Sequence, residues 1–200
     1  SSTAEMVYEY ICGQHAPSFE ISDLKYNKEI SYALYLGIMT DTGSFRFPNC
    51  NSKTHRIIAN LLDNGVDHTY IHDQIYATFS QERLKMTGYV ITNNLILDKD
   101  WAIIWISNEE KKKFNYKKGD TESLVNYPLS VLGIRKVAFI SQSDNGDSIR
   151  FSLRSKGDYD VSKLCRENLH GGGHKNASGG SLDITIDKAI DIIKELFNAN

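Results

Sequence analysis

The chain contains 200 residues, of which 40% are hydrophobic and 24% are charged, and these proportions are ordinary for a globular protein. Its formal net charge of −2 at pH 7 argues against a broad basic surface for long nucleic acids, so a nucleotide ligand is expected to be short. No apolar run approaches the roughly 18 residues of a membrane-spanning helix. The three cysteines, Cys12, Cys50 and Cys165, are widely spaced and lack a C-x-x-C pattern, which predicts reduced thiols in a cytoplasmic protein rather than a disulfide framework.

The first part of the chain has helical patterns. Ser2-Thr3-Ala4-Glu5 has the spacing of a capping box and predicts a helix over Thr3–Cys12. A chain that opens directly on such a cap is expected to be a piece of a longer one. Apolar periodicity and capping residues predict further helices over 28–36, over 53–63 with Ser52 as N-cap and Gly65 as terminator, over 67–78, and over 80–93.

From Leu95 the apolar pattern becomes that of strands, at 101–106, 137–140 and 149–153. Asn145-Gly146 lies between the last two and predicts a hairpin, with a loop of two residues or more. Helical patterns follow at 161–169 and 187–197, and the charge run at 109–113 predicts a solvent-exposed helix face or loop. The whole pattern predicts an α/β protein with a helical part over 1–80, a connecting helix over 81–94 and a mixed-sheet part over 95–200.

The most unusual segment is Gly171–Gly180, where five glycines surround His174 and Lys175. Glycine costs roughly 0.5–1 kcal/mol relative to alanine in regular structure, so a cluster indicates positive φ angles or a close approach of the backbone to a ligand. Exposed N–H groups beside an imidazole and an ammonium predict an anion-binding site, most plausibly for phosphate. The alternative is a flexible linker or a surface turn.

A second polar segment, Gly37–Arg46, contains a single carboxylate, Asp41, flanked by Thr40 and Thr42. A carboxylate in this setting can bind a hard cation, with the threonine hydroxyls as donors that orient it. The alternative is that Asp41 caps a helix or forms an Asx-turn.

A third segment, Arg154-Ser155-Lys156-Gly157, ends the alternating strand pattern. Arginine offers a planar fork and serine a neutral donor, a pairing that suits phosphate. The alternative is an ordinary basic strand end at the surface. Because one strand–helix unit separates Arg154 from His174, we expect the two side chains to converge.

Taken together, these segments resemble the DHH phosphoesterase superfamily, in particular its nano-RNase and 3′-phosphoadenosine 5′-phosphate phosphatase branch, which is related to RecJ. Gly37–Phe47 resembles its fourth motif and Gly119–Leu129 its inter-domain segment. The third and the glycine-rich segments resemble the signature of its DHH-associated C-terminal domain. The fold implied is the C-terminal, mostly helical part of a DHH catalytic domain, followed by a mixed-sheet α/β substrate-binding domain.

The resemblance also implies roles for individual residues. Asp41 would be the catalytic residue present here and a ligand of a two-manganese site, and Arg46 would be a candidate substrate contact. The residues implied in substrate binding are Arg154, Ser155, Gly172, Gly173, His174 and Lys175. The expected partner is a short oligonucleotide or a nucleotide phosphate, with a homodimer as a further option.

The sequence departs from the family pattern in several places. His170 stands where a fourth glycine is usual, and Ser178 replaces a common alanine. No Asp-x-Asp motif follows an early strand, and no Asp-His-His triplet occurs in this sequence. These two motifs supply most metal ligands in the family, so the manganese site is expected to be incomplete. We therefore expect the substrate-binding part of a metal-dependent phosphoesterase that hydrolyses short oligoribonucleotides, 3′-phosphoadenosine 5′-phosphate, or both. The alternatives are a non-catalytic nucleotide-binding fragment, or an exopolyphosphatase or pyrophosphatase of the same superfamily.

Overall fold

The computed structural model describes residues 2–12 and 27–199. Contacts within the chain divide it into two units, residues 1–78 and residues 79–200. The helix predicted to connect the two parts buries Met86 and Val90 against the sheet of the second unit, and by these contacts it belongs to that unit. The mixed α/β class expected from the sequence is confirmed.

The described part of the first unit is helical. Its helices are α1 (Thr3–Cys12), α2 (Lys28–Asp41), α3 (Ser52–Asp63) and α4 (His68–Tyr76). The predicted capping box is present at α1, where the Ser2 N–H donates to Glu5 and the Glu5 N–H donates to the Ser2 hydroxyl. At α3 the predicted N-cap was wrong by one residue, because the Asn51 side chain, not that of Ser52, accepts from the N–H groups of Lys53 and Thr54.

Helix α2 runs five residues beyond its predicted end at Leu36, and Gly37 explains the difference. A Cβ atom at Gly37 would lie 2.8 Å from the Ala4 Cβ, so this glycine permits close packing of α1 against α2 and does not end the helix. The fully buried side chains of Ile38, Met39 and Leu61 form the centre of this core.

The second unit contains a six-stranded mixed sheet in the order β1-β2-β3-β4-β6-β5, in which only the β2–β3 pair is parallel. Its elements are α5 (Gln81–Asn93), β1 (Leu95–Asp98), β2 (Trp101–Ile106), α6 (Asn108–Lys113), α7 (Asn126–Leu129), β3 (Lys136–Gln142), β4 (Ile149–Ser155), α8 (Val161–Asn168), β5 (Gly172–His174), β6 (Ala177–Leu182) and α9 (Ile186–Asn198).

The two faces of this sheet are covered differently. One face buries residues such as Ile103, Ile140 and Leu153 against α8 and α9 along most of the sheet. On the opposite face, residues such as Ile104 and Val137 pack with α5 and the 114–134 segment. This second core comprises sheet residues from β1 to β3, and the part of the face on β4, β6 and β5 is polar.

One local prediction is corrected and another is confirmed in the second unit. The charge run at 109–113 forms α6, but Lys111 is buried, with its ammonium donating to the Gln142 carbonyl and lying 3.5 Å from the Asp144 carboxylate. Asn145-Gly146 does join β3 to β4, through a six-residue loop closed by a 2.8 Å hydrogen bond from the Ser143 N–H to the Ser148 carbonyl.

In the described part of the chain, no helix combines the length and the apolar character required to cross a membrane. The three cysteines all lie in this part and are free thiols, as predicted. Burial raises the pKa of the Cys165 thiol above its ordinary value, so this side chain is a neutral thiol that packs in the core.

Candidate functional site

The glycine-rich segment forms a β-hairpin. Strands β5 and β6 pair through a two-residue turn, Lys175-Asn176, and β6 pairs in turn with β4. The linker alternative is therefore wrong. Because β6 lies between two partner strands, its N–H groups take part in ladder hydrogen bonds, and the predicted cradle of free backbone donors is reduced to the edge strand β5.

The register of this hairpin places Arg154 and His174 in one cross-strand row. Arg154 on β4 pairs with Ala177 on β6, and Ala177 pairs with His174 on β5. Directly paired residues of antiparallel strands present their side chains on the same face, and two such pairs span about 10 Å between Cα atoms. The register thus places Arg154 and His174 on the same face with the small Ala177 side chain between them, and their convergence on one ligand stays a prediction.

Neighbouring rows extend this surface. Ser152 pairs with Gly179, which pairs with Gly172, and Arg150 pairs with Ser181. None of these residues is buried, whereas Ile149, Phe151, Leu153 and Ser178 on the alternate positions are buried. We call this surface the open face; it consists of Arg150, Ser152, Arg154, Gly172, His174, Ala177, Gly179 and Ser181.

Arg154 is held against its own strand on the open face. One of its terminal nitrogens donates to the Leu153 carbonyl at 2.9 Å, which leaves the planar fork available to an anion through its remaining donors. Partial burial lowers the pKa of Arg154 from its ordinary value, but that value lies so far above neutrality that the guanidinium stays charged. Arg154 is therefore a half-buried, permanently charged side chain beside the small residues Ala177 and Gly179 on β6, an arrangement that favours phosphate binding.

The glycines of the hairpin have two different roles. A Cβ atom at Gly171 would lie 1.9 Å from the Gly179 carbonyl oxygen, and one at Gly180 would lie 2.2 Å from the Leu169 carbonyl oxygen, so both are required for backbone packing. Gly172 differs, because its Cβ atom would meet only the Arg166 Cγ at an ordinary 3.8 Å. Packing alone does not explain glycine at 172.

Ser155 has a supporting role in this arrangement. It is buried on the opposite side of the sheet from Arg154, and its hydroxyl donates to the Tyr159 carbonyl at 2.7 Å and accepts from the Asn176 amide at 2.8 Å. These bonds occupy the hydroxyl. The structure therefore favours a positioning role for Ser155 over the substrate contact that the sequence predicted.

Asn176 fastens the tip of the hairpin to the turn that follows β4. Its amide donates to the Ser155 hydroxyl, to the Gly157 carbonyl at 3.1 Å and to the Tyr159 carbonyl at 3.3 Å. The backbone carbonyl of Asn176 accepts a hydrogen bond from the Ser155 N–H. This set of bonds holds His174 in place relative to Arg154.

We expect Asn176→Ala to destabilise the second unit by about 1–3 kcal/mol, because it removes the three hydrogen bonds that the Asn176 side chain donates. Asn93→Ala is the matched control: the exposed Asn93 amide bonds only locally, to the Tyr89 carbonyl at 2.8 Å, and alanine favours the helix. Urea unfolding followed by fluorescence reports the difference, because both tryptophans, Trp101 and Trp105, lie in the second unit. Equal stability of the two variants would contradict the fastening role.

Lys175 lies at the hairpin turn beside Asp158. Its ammonium is 2.8 Å from the Asp158 carboxylate, and this hydrogen bond and the charge of Lys175 lower the pKa of Asp158. Both side chains are substantially exposed, so the pair contributes little stability. A substrate that engages Lys175 would have to compete with Asp158.

Asp41 is the last residue of α2 in the first unit, and its side chain is exposed. It borders an open depression of about 780 Å³ between α1 and α2, whose lining includes Val7, Ile30 and Gly37. The predicted orienting role of the threonines was wrong, because the hydroxyls of Thr40 and Thr42 donate to backbone carbonyls of α2.

The loop after Asp41 has an unusual backbone. Gly43, Ser44 and Phe45 have φ angles of 57°, 58° and 66°, and a left-handed conformation costs roughly 1–2 kcal/mol at a non-glycine residue. The Thr42 hydroxyl accepts from the Phe45 N–H at 3.1 Å, and Arg46 donates to the Gly43 carbonyl at 2.9 Å. These bonds hold the strained loop, and they engage Arg46 within it.

One known protein family matches a region of the sequence that lies within the second unit. The model of the DHHA1 domain matches residues 98–199, half of the chain. The chain belongs to the DHHA1 family. The open face, with Arg154 and His174, therefore lies within the DHHA1 domain.

Relatives match nearly the full chain. It is 31% identical over 197 residues to the bifunctional oligoribonuclease and PAP phosphatase NrnA of Bacillus subtilis, covering 98% of this chain and 59% of that protein. It is 32% identical over 179 residues to the probable NrnA of Streptococcus mutans, covering 88% and 56%. A crystal structure of an exopolyphosphatase-related protein from Bacteroides fragilis superimposes with a TM-score of 0.87 at 37% identity, covering 98% and 55%. The chain thus spans little more than half the length of these proteins.

The side chains present do not fit a two-manganese centre. Within residues 2–12 and 27–199, no three His, Cys, Asp or Glu side chains are close enough together to hold a metal ion. Asp41 alone offers one carboxylate, whereas two cations in a metal-assisted phosphoesterase need several ligands each.

Sequence reasoning missed two residues at the DHHA1 hairpin. Asn176 lay inside the glycine-rich segment but was not assigned a role, and its position in a two-residue turn between strands was the available signal. The second residue is Arg166 on α8, whose Cγ lies 3.8 Å from the place of a Cβ atom at Gly172. The Arg166 guanidinium donates a hydrogen bond to the Ser162 hydroxyl. It could have been found from the short connection between α8 and the glycines.

Proposed function

We propose that the DHHA1 domain of this chain binds the phosphates of short oligoribonucleotides or of 3′-phosphoadenosine 5′-phosphate. In a protein of the length of its relatives, it would present them for metal-dependent phosphoester hydrolysis. The cross-strand row of Arg154, Ala177 and His174 is the observation that supports this most directly. The names of the B. subtilis and S. mutans relatives point to the same substrates.

The open face has the chemistry that a sugar–phosphate backbone requires. Arg154 supplies a fixed planar cation, His174 supplies an imidazole on the far side of Ala177, and the small residues between them leave room for the ligand. The contribution of this domain is binding and orientation of the substrate.

Asp41 of the first unit would take part in the hydrolysis, and Arg46, a candidate substrate contact, lies in the loop that follows it. Manganese, if bound by the longer protein, would supply Lewis-acid stabilisation of charge on the phosphate oxygens. Asp41 would be one ligand among several that the described residues do not include. In this chain the residues favour substrate binding over bond breaking.

Polyphosphate is a second candidate substrate class, for two reasons. The B. fragilis structure is described as exopolyphosphatase-related, and the eight residues of the open face include no Phe, Tyr or Trp side chain on which a base could stack. A face that recognises phosphate alone would accept an inorganic chain.

Calorimetry with the full chain distinguishes the two classes. We expect 3′-phosphoadenosine 5′-phosphate and a 5′-phosphorylated diribonucleotide to bind at least tenfold more tightly than tripolyphosphate, because a nucleotide adds sugar contacts to the phosphate contacts. The titrations contain EDTA, so that no metal bridges protein and ligand. Tighter binding of tripolyphosphate would overturn the nucleotide assignment in favour of the polyphosphate class.

A further inference from the structure

We propose that the open face binds three successive phosphates of one oligonucleotide strand, and that Arg150 is the second arginine contact, at the far end from Arg154. This rests on the proposed function and deepens it, because it specifies a trinucleotide as the length that fills the site. The juxtaposition that carries it is Arg154, Ser152 and Arg150 at alternate positions of β4 on one face, with none of the three buried.

The spacing of these residues matches a nucleic acid strand. Alternate residues of a β-strand point to the same face and lie roughly 6.6–6.8 Å apart, so Arg150 and Arg154 are separated by about 13–14 Å along β4. This is close to the separation of phosphates two nucleotides apart in an extended single strand. Ser152 lies midway and can donate a hydroxyl hydrogen bond to the phosphate between them.

The row that contains Arg150 is built of hydrogen-bonding side chains. Arg150 pairs with Ser141 on β3 and with Ser181 on β6, and Arg150 and Ser181 are exposed. Two hydroxyls therefore flank the Arg150 guanidinium. Together these three groups can donate hydrogen bonds to one phosphate. Other positions on this face of β2 and β3, at Ile104, Val137 and Phe139, are apolar and buried with α5 and the 114–134 segment.

Charge near Arg150 also favours an anion. Lys111 is buried beside the end of β3, where its ammonium donates to the Gln142 carbonyl. Burial lowers the pKa of Lys111, the Asp144 carboxylate raises it, and the charge of Arg150 lowers it. Asp144 is already engaged by Lys111 at 3.5 Å. Asp144 is thus paired with Lys111, and Arg150, which forms no ion pair among the described residues, is available to an anion.

The same end of the sheet limits the length of the strand. The β3–β4 loop directly before Arg150 contains Asp144 and Asp147, both exposed. A fourth phosphate running past Arg150 would approach these carboxylates, which would repel it. The gain in affinity with ligand length is therefore expected to stop at three phosphates.

The test is a binding series on the full chain in EDTA, with 5′-phosphorylated mono-, di-, tri- and tetraadenylates at several salt concentrations. In the wild type, affinity should rise from two to three nucleotides and then level off. Arg150→Ala should weaken binding of the trinucleotide about tenfold and leave the dinucleotide within twofold. It should also reduce the slope of log K against log salt by about 0.7 for the trinucleotide, because one phosphate contact is lost.

The controls separate this inference from the proposed function. Arg150→Lys should retain the salt slope, and Lys188→Ala, on the helix α9 that covers the opposite face of the sheet, should change nothing. Two results would overturn the three-phosphate site alone, provided that the dinucleotide still binds through Arg154. One is an affinity that does not change with ligand length, and the other is an equal loss of affinity at every length in Arg150→Ala. Absence of dinucleotide binding in the wild type would overturn both proposals.

Discussion

Gly171→Ala is expected to unfold the second unit or to destabilise it by at least about 3 kcal/mol. The added Cβ atom would lie 1.9 Å from the Gly179 carbonyl oxygen and 2.5 Å from the Gly180 Cα. Both obstacles are backbone atoms in the middle of a ladder, so no side-chain rotation relieves the overlap. Relief requires separation of β5 from β6, which breaks the hairpin. Urea unfolding followed by tryptophan fluorescence measures the loss.

Gly88→Ala is the matched control in the same unit. Gly88 is exposed in the interior of α5, and a Cβ atom there meets nothing within 4 Å. Alanine should therefore stabilise the helix by roughly 0.5–1 kcal/mol. If Gly171→Ala unfolds at the same urea concentration as wild type, the close packing of the hairpin against its neighbour is incorrect.

Arg154→Ala is expected to weaken binding of 3′-phosphoadenosine 5′-phosphate and of a diribonucleotide roughly ten- to a hundredfold. A charge-assisted hydrogen bond contributes about 1.5–3 kcal/mol, and tenfold in affinity corresponds to about 1.4 kcal/mol. Arg154→Lys should recover only part of the affinity, because an ammonium cannot form the planar two-point contact of a guanidinium. Calorimetry in EDTA measures each affinity.

His174→Ala should weaken the same ligands, because His174 lies in the same cross-strand row as Arg154. Lys188→Ala, which removes a charge on the opposite side of the sheet, should not weaken them. The tryptophan fluorescence of every variant should match wild type, which separates lost binding from lost fold. Unchanged affinity in both Arg154→Ala and His174→Ala would reduce the hairpin to a structural element and would remove the basis of the proposed function.

Several features of the fold were predictable because they depend on neighbours in sequence. The capping box at Ser2, the N-caps at Asp67 and Ser80, and the hairpin signal at Asn145-Gly146 are all local hydrogen-bonding or turn preferences, and each appears in the structure. The chemistry of Arg154 and His174 was also readable as a phosphate-binding pattern, since it depends on residue type.

Other features could not be read from local patterns. Gly37 was taken as the end of a helix, but its role is contact with Ala4 of another helix. Lys111 was assigned to a solvated charge run, but β3 and the loop that follows it bury it. Strands β5 and β6 were not predicted, because glycine disfavours strands and only pairing with β4 overcomes that preference.

The sequence by itself determined which residues can bind phosphate, where most helices begin and end, and that a mixed α/β unit follows a helical one. Only the tertiary structure decided which of those residues share a face. The reason is that side chains alternate along a strand, so a shift of one residue in register would move Arg154 to the opposite face of the sheet. The pairing of Arg154 with Ala177, and of Ala177 with His174, is what places Arg154 and His174 on one side of the sheet and Ser155 on the other.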